Sequence, residues 1–221
     1  MVASFVREAR ARAFANIDLY PVTCESLSAG RSNIEVLEGL IAGGAKAVQL
    51  RDKEALPGDL YRMAAVFRRL TAKAGMLLIV NDHADIALAV GADGVHLGQD
   101  DMPPEAVREI APDLLIGVST HSLDQALTAQ AAGADYINIG PIFPTGTKKV
   151  AVEIMGPEAV SDIGSQVQIP FTVMGGIKEN NMDELLKRGA KRLAVVTAVT
   201  EAPDIAEVTR RMRERIINFT S

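Results

Sequence analysis

Gly133-Ala134-Asp135-Tyr136-Ile137-Asn138-Ile139-Gly140-Pro141-Ile142-Phe143-Pro144-Thr145-Gly146-Thr147-Lys148-Lys149 contains the unit from which the rest of the chain is built. Gly133 can end a helix in the left-handed conformation before the chain turns into a strand. Tyr136-Ile137-Asn138-Ile139 is a short, nearly continuous apolar run, as a strand covered on both faces requires. The segment that follows gathers two threonine hydroxyls, two ammonium groups and the amides around Gly146, where the missing Cβ lets backbone approach an anion closely. A plain turn needs few of these donors. Local chemistry alone allows a solvated connection as well as an anion-binding loop; the recurrence of polar strand ends elsewhere favours the second.

Working outward, similar apolar runs occur at Leu19–Val22, Ala47–Leu50, Leu77–Val80, Gly94–Leu97, Leu115–Val118, Phe171–Met174 and Ala194–Thr197, which with Tyr136–Ile139 makes eight strands. Segments of helical period lie between and after them, at 33–43, 57–74, 83–91, 103–111, 122–133, 156–165, 179–188 and 203–217. In the second of these, Met63, Val66, Phe67 and Leu70 form an apolar stripe flanked by Arg62, Arg68 and Arg69. Eight apolar strands alternating with helices predict an α/β protein of the (β/α)₈ TIM-barrel class. Glycine before every second strand (Gly43-Gly44-Ala45-Lys46, Gly91-Ala92-Asp93, Gly133-Ala134-Asp135, Gly189-Ala190-Lys191) marks a repeating quarter-barrel unit. An open doubly wound sheet has the same local pattern and is the alternative.

At 221 residues, 48% of them hydrophobic, the chain suits one barrel domain spanning 1–221, with residues 1–16 as a short helical extension. Met1–Asn16 carries Arg7, Arg10 and Arg12 among alanines and lacks the apolar core of a signal peptide. No apolar stretch approaches the ~18 residues of a membrane span. The 23 basic and 28 acidic residues give a net charge of -5, which argues against a nucleic-acid or anionic-membrane surface. Anion-binding lysines and arginines must therefore be placed locally. The single cysteine, Cys24, forms no internal disulfide and fits a reducing cytoplasm.

In a barrel of this class the loops after the strands build the catalytic face. The second strand ends in Gln49-Leu50-Arg51-Asp52-Lys53, where Gln49, Arg51 and Lys53 share one side of extended chain and can converge on a phosphate. Asn81-Asp82 and Gln99-Asp100-Asp101 follow the third and fourth strands. Carboxylates from neighbouring strand ends suit Mg²⁺ bridged to substrate phosphate, although one of Asp100 and Asp101 is expected to cap the helix beginning near Pro103. His96 lies within an apolar strand, where a structural or a catalytic histidine fits equally. Ser119 can touch substrate or cap the following helix. Gly175-Gly176 and the amides after the eighth strand, at Val196 and Thr197, lie where this fold often holds phosphate. Two anion sites imply two phosphorylated substrates. No Ser-His-Asp or Cys-His arrangement and no dinucleotide fingerprint is present.

From Leu19 to the last helix, the series Gln49-Leu50-Arg51-Asp52-Lys53, Val80-Asn81-Asp82, Gly94-Val95-His96-Leu97-Gly98-Gln99-Asp100-Asp101, Gly117-Val118-Ser119, Gly140 through Lys149, and Gly175-Gly176-Ile177 resembles the thiamine phosphate synthase family. The resemblance implies a TIM barrel and a transferase of thiamine biosynthesis. Such an enzyme joins 4-amino-2-methyl-5-(diphosphooxymethyl)pyrimidine to 4-methyl-5-(2-phosphoethyl)thiazole, or to its carboxylated form, with release of pyrophosphate. It further implies pyrimidine diphosphate on Gln49, Arg51, Lys53, Asn81, Ser119 and Lys148, with Arg51, Lys53, Ser119 and Lys148 acting in catalysis. Magnesium falls to Asp82 and Asp101, and thiazole phosphate to Thr145, Thr147, Gly176, Val196 and Thr197. Departures from the family pattern include the apolar stretch Val150–Gly156, Met174, and Thr197 where serine is frequent. A thiazole tautomerase shares the barrel but needs no pyrophosphate apparatus, so Arg51, Lys53, Asp82, Asp101 and Lys148 argue against it. A catalytically silent barrel that binds thiamine precursors is the remaining alternative. A homo-oligomer is compatible with the sequence.

Overall fold

The computed structural model describes residues 4–146 and 153–220. In chain order the elements are α1 (Phe5–Ala15), β1 (Leu19–Pro21), α2 (Asn33–Ala42), β2 (Ala47–Leu50), α3 (Pro57–Ala74), β3 (Leu77–Asn81), α4 (Ala84–Val90), β4 (Gly94–Leu97), α5 (Pro104–Ile110), β5 (Leu115–Thr120), α6 (Leu123–Ala131), β6 (Tyr136–Ile139), α7 (Glu158–Gly164), β7 (Phe171–Val173), α8 (Met182–Lys187), β8 (Leu193–Val195), α9 (Thr197–Thr200) and α10 (Ile205–Thr220). The strands pair in parallel from β2 through β8 and on to β1. A parallel bridge between Val22 and Gln49, with the Thr23 amide donating to the Gln49 carbonyl at 2.9 Å, joins the two ends. The sheet is thus a barrel and not the open alternative. The expected eighth strand is displaced: Val196 has left extended backbone and Thr197 begins α9.

Strand parity divides the core. Leu19, Val48, Leu50, Leu78, Val80, Val95, Leu97, Ile116, Ile137, Val173 and Leu193 point outward and pack beneath the helices. Tyr20, Ala47, Ile79, Leu115, Tyr136 and Ala194 point inward and form a separate cluster with Phe14 and Ile17. Phe14, 1% exposed, comes from α1 and closes the floor of the barrel. Its ring stacks on Tyr136 at a centroid distance of 3.9 Å and meets Tyr20 edge-on at 5.5 Å.

The recurrent Gly-Ala-Asp has a structural reason. Gly91, Gly133 and Gly189 adopt positive φ at the ends of their helices, as expected, while before β2 this role falls to Gly44 and not Gly43. The aspartate that follows ties neighbouring strands: Asp93 Oδ2 accepts from the Leu78 amide at 2.8 Å and from Arg68 at 2.6 Å. Asp135 Oδ2 accepts from the Ile116 amide at 2.8 Å and from Arg108 at 2.6 Å. On α1, Arg10 lies 3.5 Å from Asp93 and Arg7 3.6 Å from Asp135. One helix face thereby carries both an apolar plug and two cations that read the repeat.

Removing the plug leaves a cavity that the strands cannot collapse to fill. Phe14→Ala is expected to lower unfolding free energy by about 3–5 kcal/mol. Phe5→Ala, on the same helix but 78% exposed, should change it by less than about 0.5 kcal/mol. Urea unfolding of the two variants checks this contrast.

Candidate active site

Inward parity brings Gln49 of β2, Asn81 of β3, His96 of β4, Ser119 of β5, and Asn138 of β6 to the upper interior of the barrel. Arg51 continues the inward series beyond Gln49. Its amide donates to Thr23 Oγ1 at 3.0 Å, and its guanidinium Nη1 lies 3.7 Å from the buried Cys24 sulfur. Among the described residues Arg51 pairs with no carboxylate, which leaves its charge available to an anion. Asp52 turns away from the mouth: it accepts from the Asn33 side chain at 3.1 Å and from the amides of Glu54 and Ala55.

Lys53 Nζ lies 2.9 Å from Asp82 Oδ2, so the ends of β2 and β3 meet as an ion pair at the rim. Asp82 has φ of 62°, a conformation aspartate tolerates better than most residues, and its amide donates to the His96 carbonyl at 2.8 Å. Asp101 caps nothing, and neither does Asp100: the residue preceding α5 is Pro103, with no side-chain cap. Asp101 Oδ2 instead accepts from the Gly98 amide at 2.6 Å, folding its loop back over β4. Burial pushes the Asp101 carboxyl above its ordinary range and the nearby Asp82 adds to this, opposed by the Gly98 amide. Gln99 anchors the same loop, its Nε2 donating to the Ser119 carbonyl at 2.6 Å.

On the opposite side of the barrel, the loops after β6 and β7 are packed backbone to backbone. Ile142 N donates to Met174 O at 2.9 Å, and Phe143 N to Gly175 O at 3.0 Å. A Cβ on Gly175 would lie 2.6 Å from Pro141 Cα, and one on Gly176 2.5 Å from the Pro144 carbonyl, so only glycine permits this approach. Thr145 is exposed at the rim. Thr147, Lys148 and Lys149 lie outside the described residues. Lys178 and Asn181, not singled out from the sequence, complete this side. Lys178 Nζ donates to Thr197 Oγ1 at 2.7 Å, and the Asn181 side chain donates to Gly176 O at 3.0 Å while accepting from Lys178 N at 2.8 Å. A lysine two residues beyond a glycine pair was the available signal.

Below the mouth the inward polar residues are joined. Gln49 Nε2 donates to the Tyr20 hydroxyl at 3.1 Å, which lies 2.9 Å from the Tyr136 hydroxyl. Tyr136 Oη is 3.0 Å from His96 Nδ1, and His96 Nε2 is 2.9 Å from Ser119 Oγ. Ser119 is not a helix cap, since Ser122 caps α6. Burial raises the pKa of both phenols, so each keeps its proton at neutral pH. The mouth therefore presents cations and carboxylates over β2–β4, a glycine-rich donor surface over β6–β8, and a hydrogen-bonded polar layer between them.

The family model described as thiamine monophosphate synthase matches residues 19–199. The chain is 46% identical over 197 residues to the thiamine-phosphate synthase of Pelotomaculum thermopropionicum, covering 89% of this chain and 90% of that one. It is 41% identical to the thiamine-phosphate synthase of Caldicellulosiruptor saccharolyticus, covering 98% of each. The solved thiamine phosphate pyrophosphorylase from Pyrococcus furiosus superposes with a TM-score of 0.88 at 38% identity, over 94% of this chain and all of that one (100%). A 3-hexulose-6-phosphate synthase structure, at 17% identity and a TM-score of 0.67, shares the fold alone. The chain belongs to the thiamine monophosphate synthase family.

Proposed function

We propose that this enzyme forms thiamine phosphate by transferring the (4-amino-2-methylpyrimidin-5-yl)methyl group of 4-amino-2-methyl-5-(diphosphooxymethyl)pyrimidine to the nitrogen of 4-methyl-5-(2-phosphoethyl)thiazole, or of its carboxylated form with loss of CO₂. The observation that carries the reading is the division of the mouth. An uncompensated Arg51 and the Lys53–Asp82 pair with Asp101 stand on one side, and the Gly175-Gly176 surface with Lys178 and Thr197 on the other. Arg51, Lys53, Gln49, Asn81 and Ser119 receive the pyrimidine diphosphate, with Lys148 of the β6 loop as a further ammonium. Thr145, Thr147, Gly176 and the backbone of Val196 and Thr197 receive the thiazole phosphate.

The carbon–oxygen bond at the pyrimidine methylene breaks with both electrons leaving on pyrophosphate, and the thiazole nitrogen lone pair forms the new carbon–nitrogen bond. No proton need be abstracted in this step. Arg51, Lys53, Ser119 and Lys148 act where negative charge grows on the leaving group, and contribute most if their interaction strengthens as the bond breaks. Val22, Val196 and Met174 line the inner wall near the mouth and limit water around the developing cation.

Asp82 and Asp101 fit Mg²⁺. Among the described residues no set of three protein ligands gathers, but this ion commonly takes one or two carboxylates and completes its shell with water and substrate phosphate. The crowding of Asp101 by Asp82 is the unneutralised charge that such an ion relieves. When bound, Mg²⁺ supplies Lewis-acid stabilisation of the diphosphate. Cytoplasmic action on soluble phosphorylated substrates completes the reading, and no helix among the described residues is long and apolar enough to cross a membrane.

An assay for thiamine phosphate from the two substrates, with and without Mg²⁺, tests this function; no product in complete mixtures would overturn it. Asp82→Ala should lose about 10²-fold in Mg²⁺-dependent turnover while remaining folded, and full activity at ordinary Mg²⁺ would remove Asp82 from the metal site. Asp101→Asn should separate stability from function. Because the folded-state pKa of Asp101 is raised, wild-type stability falls as pH rises through that pKa, and ionised Asp101 burdens the fold at neutral pH. The Asn variant should therefore melt at a higher temperature than metal-free wild type at pH 7, lose that advantage in acid where Asp101 is protonated, and show weakened Mg²⁺ dependence. Differential scanning calorimetry in chelator, across pH, measures this.

A further inference from the structure

The inward polar residues at the base of the mouth form a chain with a direction, and the direction is set at one end. A carboxamide nitrogen can only donate, so Gln49 Nε2 makes the Tyr20 oxygen an acceptor. The geometry of the next two contacts fits either donor, but the polarity that gives both phenol hydrogens an acceptor within the chain sends the Tyr20 hydrogen to Tyr136 and the Tyr136 hydrogen to His96 Nδ1. An imidazole that accepts at Nδ1 carries its hydrogen on Nε2, and that hydrogen points to Ser119 Oγ. The Ser119 oxygen has thereby accepted, and its own hydrogen is left to donate elsewhere. With the opposite polarity Ser119 would give its hydrogen to the imidazole and turn lone pairs toward the mouth. Diphosphate oxygens are acceptors only, so the two polarities are opposite in effect: one attracts the leaving group and the other repels it.

We propose that Tyr20, Tyr136 and His96 are positioning residues whose one-way hydrogen-bond chain keeps Ser119 a donor and leaves the Gln49 carboxamide oxygen as the acceptor. The inference rests on the proposed substrate, whose exocyclic amine suits an acceptor and whose diphosphate suits a donor. It assigns work to three residues in the barrel interior that otherwise have only a packing role. Their packing is suited to it. Tyr20 and Tyr136 are each 1% exposed or less, and His96 is 5% exposed, so water does not compete for these bonds. Tyr136 is held from below by the Phe14 ring and from the side by Gly117, where a Cβ would lie 2.0 Å from the Tyr136 ring. Its hydroxyl has little freedom to leave the chain.

Two measurements test the proposal. The first needs no substrate: long-range proton–nitrogen correlation on the full chain labelled with ¹⁵N-histidine reads the His96 tautomer, assigned by the resonance lost in His96→Gln. The Nε2–H form is expected at pH 7; the Nδ1–H form or imidazolium overturns the chain, whether or not the proposed reaction is correct. Wild-type turnover separately tests that reaction. The second is kinetic. Tyr136→Phe keeps the ring and removes the link, and should lower kcat about tenfold with KM for the diphosphate changed less than about twofold. In a Ser119→Ala background the same change should have almost no further effect, because the group it positions is gone. An undiminished tenfold loss in that background would mean that Tyr136 acts through packing. If Tyr136→Phe does not fold, His96→Gln and His96→Leu carry the same test: the glutamine amide can still donate to Ser119 and should retain most activity, while leucine should lose about tenfold. Equal loss in both overturns the assignment.

Discussion

A Cβ at position 117 would lie 2.0 Å from the Tyr136 ring, and the interior of the barrel is arranged around that exclusion. Because Gly117 yields its space, a full tyrosine ring fits across a narrow eight-stranded barrel, whose interior layers are shared between alternate strands. The ring then does two things at different heights. Its lower face stacks on Phe14 and seals the floor, and its hydroxyl reaches up into the polar layer beneath the mouth. A phenylalanine would serve the first purpose alone. The transition from dry floor to polar active site therefore passes through one side chain, and the apolar cluster below and the hydrogen-bonded layer above depend on the same pair of residues.

The alternation of apolar runs with helical segments was legible because parallel strands covered on both faces tolerate few polar residues. The boundary of β8 was less so: Leu193-Ala194-Val195-Val196 is uniformly apolar, and nothing local marks where pairing stops and α9 begins. Polar residues at strand ends also stood out, since they interrupt apolar periodicity, and Arg51, Lys53, Asp82, Asp101 and Ser119 were visible on that ground. What they touch was not. The Lys53–Asp82 pair and the Asp101–Gly98 hydrogen bond depend on how neighbouring loops fold back, and the sequence allowed Asp101 to cap a helix equally well. Tyr20 and Tyr136 stood inside apolar strand runs and His96 fitted a structural or a catalytic role equally, because their coupling requires the register of β1, β4 and β6. The thiazole side was legible mainly through Gly175-Gly176, while Lys178 resembled any exposed lysine.

Charge is distributed unequally in purpose. The bidentate pairs of Arg211 with Glu179 and of Arg215 with Asp183, joining α10 to the loop before α8 and to α8 itself, are exposed and contribute little each. Asp93 and Asp135 are more sheltered and bind strand amides as well as arginines, so they help fix strand ends. At the mouth the balance is deliberately incomplete. Arg51 has no carboxylate among the described residues, and Asp82 shares one lysine while crowding Asp101. Unspent charge of both signs in one place costs folding energy and provides for a ligand that carries both a polyanion and its counter-cation.

The floor helix has a geometric consequence for handling the protein. Since α1 crosses the barrel beneath β3–β6, through Phe14 and the Arg7–Asp135 and Arg10–Asp93 pairs, residue 4 begins on the pole opposite the loops that follow the strands. A surface tether or fluorescent label attached ahead of that helix would orient every molecule with its opening toward solution. The helix would also transmit pulling force into the hydrogen-bonded floor, not the rim. Such an attachment offers a way to load the inner layer mechanically while leaving the entrance for both substrates unobstructed.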